Sequence, residues 1–217
     1  MRVTEAKWIA DELARIPRAE LSPLVNIGSS TQEFRTVRQP HIDRLIFQPL
    51  RAAGTEVIHT DLKQQAGVDI AGDLFDESTQ EAIRQRKPRA LLCSNLLEHV
   101  TDPRAFARAM TKLLPVGGYA IVTVPRSYPY HADPIDTLFR PTPAEIEKLY
   151  VECELVRGEI VDDVTYAEEL LAKGLRGVRN LIGAARPWGT AAKAQRDRLR
   201  WLFRPFTTSC VVLRVKA

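Results

Sequence analysis

Cysteine is scarce in this chain. There are three, Cys93, Cys153 and Cys210, and no two form a CxxC pair. Without ligand spacing they disfavour a zinc site. Each stands beside apolar neighbours, so the expectation is buried free thiols in a reducing, cytoplasmic setting. Long hydrophobic runs are missing too. The longest, such as residues 119–124, are strand-sized, far below the ~20 residues a membrane span requires. Residues 1–13 mix charges with apolar residues at helical spacing and lack the apolar core of a secretory signal. No internal repeat, low-complexity tract or nucleic-acid-binding signature is present.

What remains is the profile of an ordinary soluble globular protein, with 45% apolar and 27% charged residues. A length of 217 residues suits one large α/β domain, or one with an insertion. The net charge of +4 is unevenly placed. Residues 173–204 hold nine basic residues against one acid, a local +8 set against −4 for the rest. The basic character therefore belongs to one late segment.

Strand-like and helix-like stretches alternate through the first 150 residues. Strands are expected at 24–27, 57–61, 68–74, 90–94 and 119–124. Helices are expected at 41–53, 77–86 and 103–114, the last with Asp102 as its cap and Pro103 in its first turn. This alternation implies parallel βαβ units in a doubly wound sheet. A short helix at 143–151 follows, and then strands at 155–161 and 209–215. Between those two strands lies a basic helical insertion, at about 163–205, with a connection around Gly183 to Gly189. The whole chain, 1–217, reads as a single domain.

In such a sheet, ligands bind beyond the carboxyl ends of the strands. The first strand ends in Gly28, Ser29, Ser30 and Thr31, a tight turn that lets the backbone approach a ligand. The second ends in Asp61, an acid placed to accept hydrogen bonds from ribose hydroxyls. The third ends in Asp73-Leu74-Phe75, where an acid precedes apolar residues able to pack a ring. Each of these features also reads as turn chemistry. After the fourth strand, polar residues arrive abruptly at Ser94, Asn95, Glu98 and His99.

The stretch from Ser94 to Pro103, SNLLEHVTDP, is followed by LLPVGGY at 113–119 and VTVP at 122–125. Together they resemble the class I S-adenosylmethionine (SAM)-dependent methyltransferases of the type 11 kind. The continuation from Tyr128 to Thr142 resembles members associated with saccharide biosynthesis. The resemblance covers roughly 24–149. It implies a Rossmann-like, mostly parallel seven-stranded sheet with an antiparallel last strand. It also implies SAM as cofactor. Gly28, Ser29 and Asn26 would face the methionine part, Asp61 the ribose, and Leu62, Asp73 and Leu74 the adenine. Ser94 and Asn95 would lie near the sulfonium. The chain departs from the family pattern at Asn26, which replaces an acid, and at Ser30 and Gln32, where glycines are common. Asn26 can hydrogen-bond but cannot pair charge with the SAM amino group.

Methyl transfer is an in-line displacement at a sulfonium carbon, which needs alignment and, for an oxygen acceptor, proton removal. The candidate catalytic residues lie in the loop after the fifth strand. His131 is the candidate base, Asp133 or Asp136 would orient it, and Arg140 would hold an anionic or hydroxyl-rich substrate. The same residues also suit a loop fixed to itself. His99 is an alternative base. His41 and His59 read as structural. No metal ligand set is expected. The resulting reading is a SAM-dependent methyltransferase with a small-molecule or saccharide-type acceptor, methylated at oxygen. A catalytically inactive binding or scaffold protein is the alternative, motivated by the degenerate first loop. A nucleic-acid methyltransferase is the weaker one, because no Asn-Pro-Pro-Tyr-type motif follows the fourth strand. Residues 173–204 read as a solvated face, or as a contact for phosphate or an anionic membrane surface.

Overall fold

The computed structural model describes residues 1–131, 135–174 and 199–217. Its strands are β1 (Leu24–Ile27), β2 (Val57–Asp61), β3 (Ile70–Ala71), β4 (Ala90–Ser94), β5 (Tyr119–Ser127), β6 (Cys153–Thr165) and β7 (Pro205–Val215). Its α-helices are α1 (Val3–Arg15), α2 (Arg18–Leu21), α3 (Pro40–Ile42), α4 (Gln48–Ala52), α5 (Glu77–Arg84), α6 (Pro103–Thr111), α7 (Pro143–Glu147) and α8 (Tyr166–Ala172). The seven strands form one sheet in the order β3-β2-β1-β4-β5-β7-β6. The first five pair in parallel, and β7 runs antiparallel to both β5 and β6. This is the α/β, Rossmann-like, doubly wound sheet expected from the sequence, with its antiparallel last strand.

Alternation along the central strands sends side chains to two cores. Val25, Ile27, Leu91, Cys93 and Val122 pack with Phe106 and Met110 of α6 on one face. Leu24, Leu92, Ile121 and Val212 pack with Trp8, Ile9 and Leu13 of α1 on the other. The three cysteines are buried and free, and burial raises the thiol pKa of each. Among the described residues, no helix is long and apolar enough to cross a membrane.

Element boundaries differ from the sequence pattern for local reasons. The helical stretch expected at 41–53 begins earlier and is interrupted. Phe34–Arg38 and Asp43–Phe47 are π-helical turns around α3. Pro40 and Pro49 sit in first turns, and a proline has no N–H to continue the preceding ladder. The third strand shrinks to Ile70–Ala71. Its Gly72 is required, since a Cβ there would lie 2.2 Å from Thr79 Oγ1. Asp102 does cap α6, accepting from Ala105 N at 2.9 Å. The helix ends at Thr111.

The expected insertion at 163–205 starts later, because β6 is still paired at Thr165, opposite Pro205. Thr165 then caps α8 with a reciprocal Glu168 contact. Gly183 to Gly189, most of the basic residues of 173–204, and Asp133 lie outside the described residues.

His59 and Asn26 form a polar pair inside the apolar face beside α1. The Asn26 amide donates to His59 Nδ1 at 3.2 Å, and Phe47 meets the imidazole edge-on at 4.8 Å. Burial, then the charge of Arg35, pushes the His59 pKa down to about 4. The unfolded chain, near pKa ~6.5, therefore takes up the proton first. This contribution to stability is full above pH 6.5 and is lost as pH falls toward 4, about 3 kcal/mol in all. Urea midpoints measured from pH 7 to 5 are expected to fall in the wild type. The slope flattens in His59→Gln, and an equal slope in both proteins refutes the assignment.

Candidate cofactor crevice and acceptor cluster

The carboxyl ends of β1, β2 and β3 open on a cavity of about 270 Å³. Asp61, Leu62, Asp73, Leu74 and Phe75 line it, with Gly28 and Leu96 at the β1 end and Phe106 beneath. Leu62 is 66% exposed and Phe75 is 48% exposed, so two large apolar side chains stand at the rim of a crevice that also carries two carboxylates. That combination suits a ligand with an aromatic ring and hydroxyl or amino groups. Asp73 Oδ1 accepts from Phe75 N at 2.9 Å, a local turn that leaves Oδ2 for a ligand. Asp61 Oδ2 accepts from Ser30 N at 2.7 Å, and Oδ1 accepts from Lys63 N at 3.3 Å. Asp61 thus ties the β2 end to the loop after β1.

That loop has one glycine where relatives of the resembled family carry several. Gly28 takes φ +67°, and a Cβ there would lie 2.8 Å from Leu96 Cδ2. The remaining rigidity comes from Arg35, whose side chain the sequence reading overlooked. Its guanidinium is buried and donates to the carbonyls of Ser29 at 2.9 Å, Ser30 at 2.6 Å and Gly67 at 2.7 Å. Burial lowers its pKa. Five donors in a planar fork let one arginine satisfy three backbone carbonyls at once.

The expected cofactor residues divide in two. Gly28, Asp61, Leu62, Asp73 and Leu74 line the cavity; Asn26, Ser29, Ser94 and Asn95 do not. Asn26 points away from it into the core against His59. Asn95, at φ +50°, donates its amide to Glu5 Oε1 at 2.7 Å. Thr123 Oγ1 donates to the same oxygen at 2.6 Å, and the N–H of Arg2 donates to Glu5 Oε2 at 3.0 Å. Glu5 is 1% exposed. It docks α1 over the ends of β4 and β5. The only sequence signal was an acid three residues after a helix start, which reads as a surface cap.

The loop after β5 brings His131, Asp136 and Arg140 together. Arg140 holds the Asp136 carboxylate with both terminal nitrogens, at 2.6 and 3.1 Å. Asp136 also accepts from the N–H of His131 at 3.0 Å and of Leu138 at 2.8 Å. Burial pushes the Asp136 pKa up, but Arg140 and these backbone donors outweigh it and hold the value at about 2. His131 Nδ1 lies 3.3 Å from Asp136 Oδ2 and 3.4 Å from the Pro129 carbonyl. Burial lowers the His131 pKa.

His99 joins this loop to the crevice. It lines the cavity, contacts the Ile135 carbonyl through Nδ1, and meets the His131 ring edge-on at 5.2 Å. Beneath it, Glu98 is fully buried, and burial pushes its pKa up to about 8. The Glu98 carbonyl accepts from Thr137 N and Oγ1, at 2.8 and 3.0 Å, which fastens the two loops together.

No protein-family model matches the chain, and no curated protein matches it in sequence. Solved structures match its fold. A protein assigned as a sarcosine dimethylglycine methyltransferase in Galdieria sulphuraria superposes with a TM-score of 0.53 at 12% identity, over 98% of this chain and 85% of its own. Coclaurine N-methyltransferase, bound to N-methylheliamine and S-adenosylhomocysteine, gives 0.52 at 12% identity, over 96% of this chain and 72% of its own. The cyclase SpnF gives 0.51 at 15% identity, over 97% and 82%. The chain therefore has the fold of the class I SAM-dependent methyltransferases. SpnF is named for a cyclisation, so the reaction has to be argued from the site.

Replacing Glu5 with Ala strands the buried donors of Asn95 and Thr123 and undocks α1. A loss of about 3 kcal/mol is expected in chemical denaturation. A loss under ~1 kcal/mol contradicts this account of α1 docking.

Proposed function

We propose that the chain is a SAM-dependent methyltransferase that methylates an oxygen of a small hydroxylated acceptor. The observation that carries the reading is the crevice, where Asp61 ends β2 and Asp73 follows the adjacent β3, beside Leu62, Leu74 and Phe75. Asp61 would accept from the ribose hydroxyls and Asp73 from the adenine amino group, with the ring between apolar side chains. SAM would supply an electrophilic methyl group on sulfur. His131 is the base of this reading, and Asp136 and Arg140 are positioning residues. The Asp136 contact favours a proton on Nδ1 and leaves Nε2 as the lone-pair nitrogen. A saccharide-type acceptor is supported by the resemblance of the 131–140 loop. A phosphate on that acceptor would suit the +8 segment at 173–204.

A second reading is a binding protein that has lost transfer activity. It is favoured by Asn26, whose side chain is engaged with His59 and offers no charge to the SAM amino group.

Calorimetric titration with S-adenosylhomocysteine tests the first reading. Micromolar binding is expected, weakened at least ~10-fold in Asp61→Ala and in Asp73→Ala, as for loss of a hydrogen bond to a charged acceptor. Using both variants matters because Asp61 also holds Ser30. A folded wild type without affinity, or affinity unchanged in both variants, sinks it.

A further inference from the structure

Two imidazoles and a carboxylate converge beside the crevice in a way that methyl transfer alone does not require. Glu98, His99 and His131 each bring one ligand-type atom to within 4.8 Å of the others. Glu98 is 0% exposed, and neither of its carboxylate oxygens has a hydrogen-bond partner among the described residues. A buried carboxyl with both oxygens unpaired is costly unless something satisfies it. Its Oε1 lies 3.8 Å from His99 Nε2.

The outer contacts match the pattern that orients metal-binding histidines. The Ile135 carbonyl engages His99 Nδ1, so a proton there leaves Nε2 with its lone pair. Asp136 stands beside His131 Nδ1 and is itself gripped by Arg140, a carboxylate–histidine arrangement that leaves the other ring nitrogen to coordinate. The loop after β5 is fastened to Glu98 through Thr137, so both halves of the cluster are held by backbone contacts.

We propose that Glu98, His99 and His131 form a binding site for one divalent transition-metal ion of the zinc class. Two nitrogens and one oxygen suit zinc, iron, cobalt or nickel better than magnesium or calcium, which favour all-oxygen shells. Three protein ligands also leave a coordination position open, the arrangement of catalytic rather than structural zinc. No local spacing marks the set in the sequence, because His131 lies far along the chain from Glu98 and His99.

What the ion does rests on the methyltransferase reading; its binding does not. An acceptor hydroxyl in the open position becomes more acidic and releases its proton to water. The alkoxide oxygen then forms a bond to the methyl carbon as the carbon–sulfur bond breaks, and S-adenosylhomocysteine leaves. In the loaded protein His131 is a ligand, and the ion takes over its part in proton removal.

The test is titration of the purified full chain with Co²⁺, read by visible d–d absorption, and with Zn²⁺ in competition. One equivalent is expected to bind and to be displaced by Zn²⁺. Affinity falls more than ~10-fold in His99→Ala and in His131→Ala, since even outer-shell changes cost that much. His131 sits in a partly exposed loop, so that variant keeps the wild-type circular dichroism and melting temperature. S-adenosylhomocysteine is titrated into the same samples. Metal binding without nucleotide binding keeps the ion site and overturns its role in methyl transfer. Absence of Co²⁺ and Zn²⁺ binding in the wild type, or equal binding in both variants, overturns the site.

Discussion

Glu5 has almost no water around it, and its charge must be met by the protein. Three donors do so: the Asn95 amide, the Thr123 hydroxyl and the N–H of Arg2. They come from the end of β4, from β5 and from the start of α1. The carboxylate thereby fixes where the first helix lies across the carboxyl edge of the sheet, and it holds Asn95 in its left-handed conformation. From Asn95 the chain turns into the short 3₁₀ segment Leu97–His99, which delivers Glu98 against the loop after β5 and His99 into the cavity wall. The crevice and the His131–Asp136–Arg140 cluster are thus both referenced to one buried charge.

Arg35 does the corresponding work at the other end of the crevice. A glycine-rich turn is shaped by its own backbone freedom, whereas the turn after β1 is shaped by a guanidinium that collects carbonyls from both sides. Asp61 closes the arrangement through Ser30. The sparse glycines are therefore compatible with a rigid loop, and the crevice persists behind them.

The sheet was legible because its central strands are continuous apolar runs between turn residues, and Asp61, Asp73 and Gly28 could be placed by counting to the ends of those runs. His131, Asp136 and Arg140 were legible as polar residues of one loop, but Arg140 was expected to hold substrate, and only the folded loop shows both its terminal nitrogens on Asp136. Asn26 was not, because a strand's two faces look alike locally and only the tertiary partner His59 decides which face holds an amide. Glu5 and Arg35 were missed for the same reason. A charged residue on an amphipathic segment reads as solvated, and burial depends on elements distant in sequence. The interrupted stretch around Pro40 and Pro49 shows the limit of periodicity, since π-helical turns preserve a helix-like pattern while shifting its phase.

The position of β7 bears on how the molecule assembles. It lies between β5 and β6, and its partners on β5 are far upstream, as in Tyr119 opposite Arg214. Neither neighbour can complete its ladder until this strand slides into the slot between them, so the loop entropy of a long chain segment is spent on a late, non-local event. Until then β5 presents an open, largely apolar edge to the cell. An unpaired edge of that kind is the general type of surface that chaperones cover and that other chains pair with.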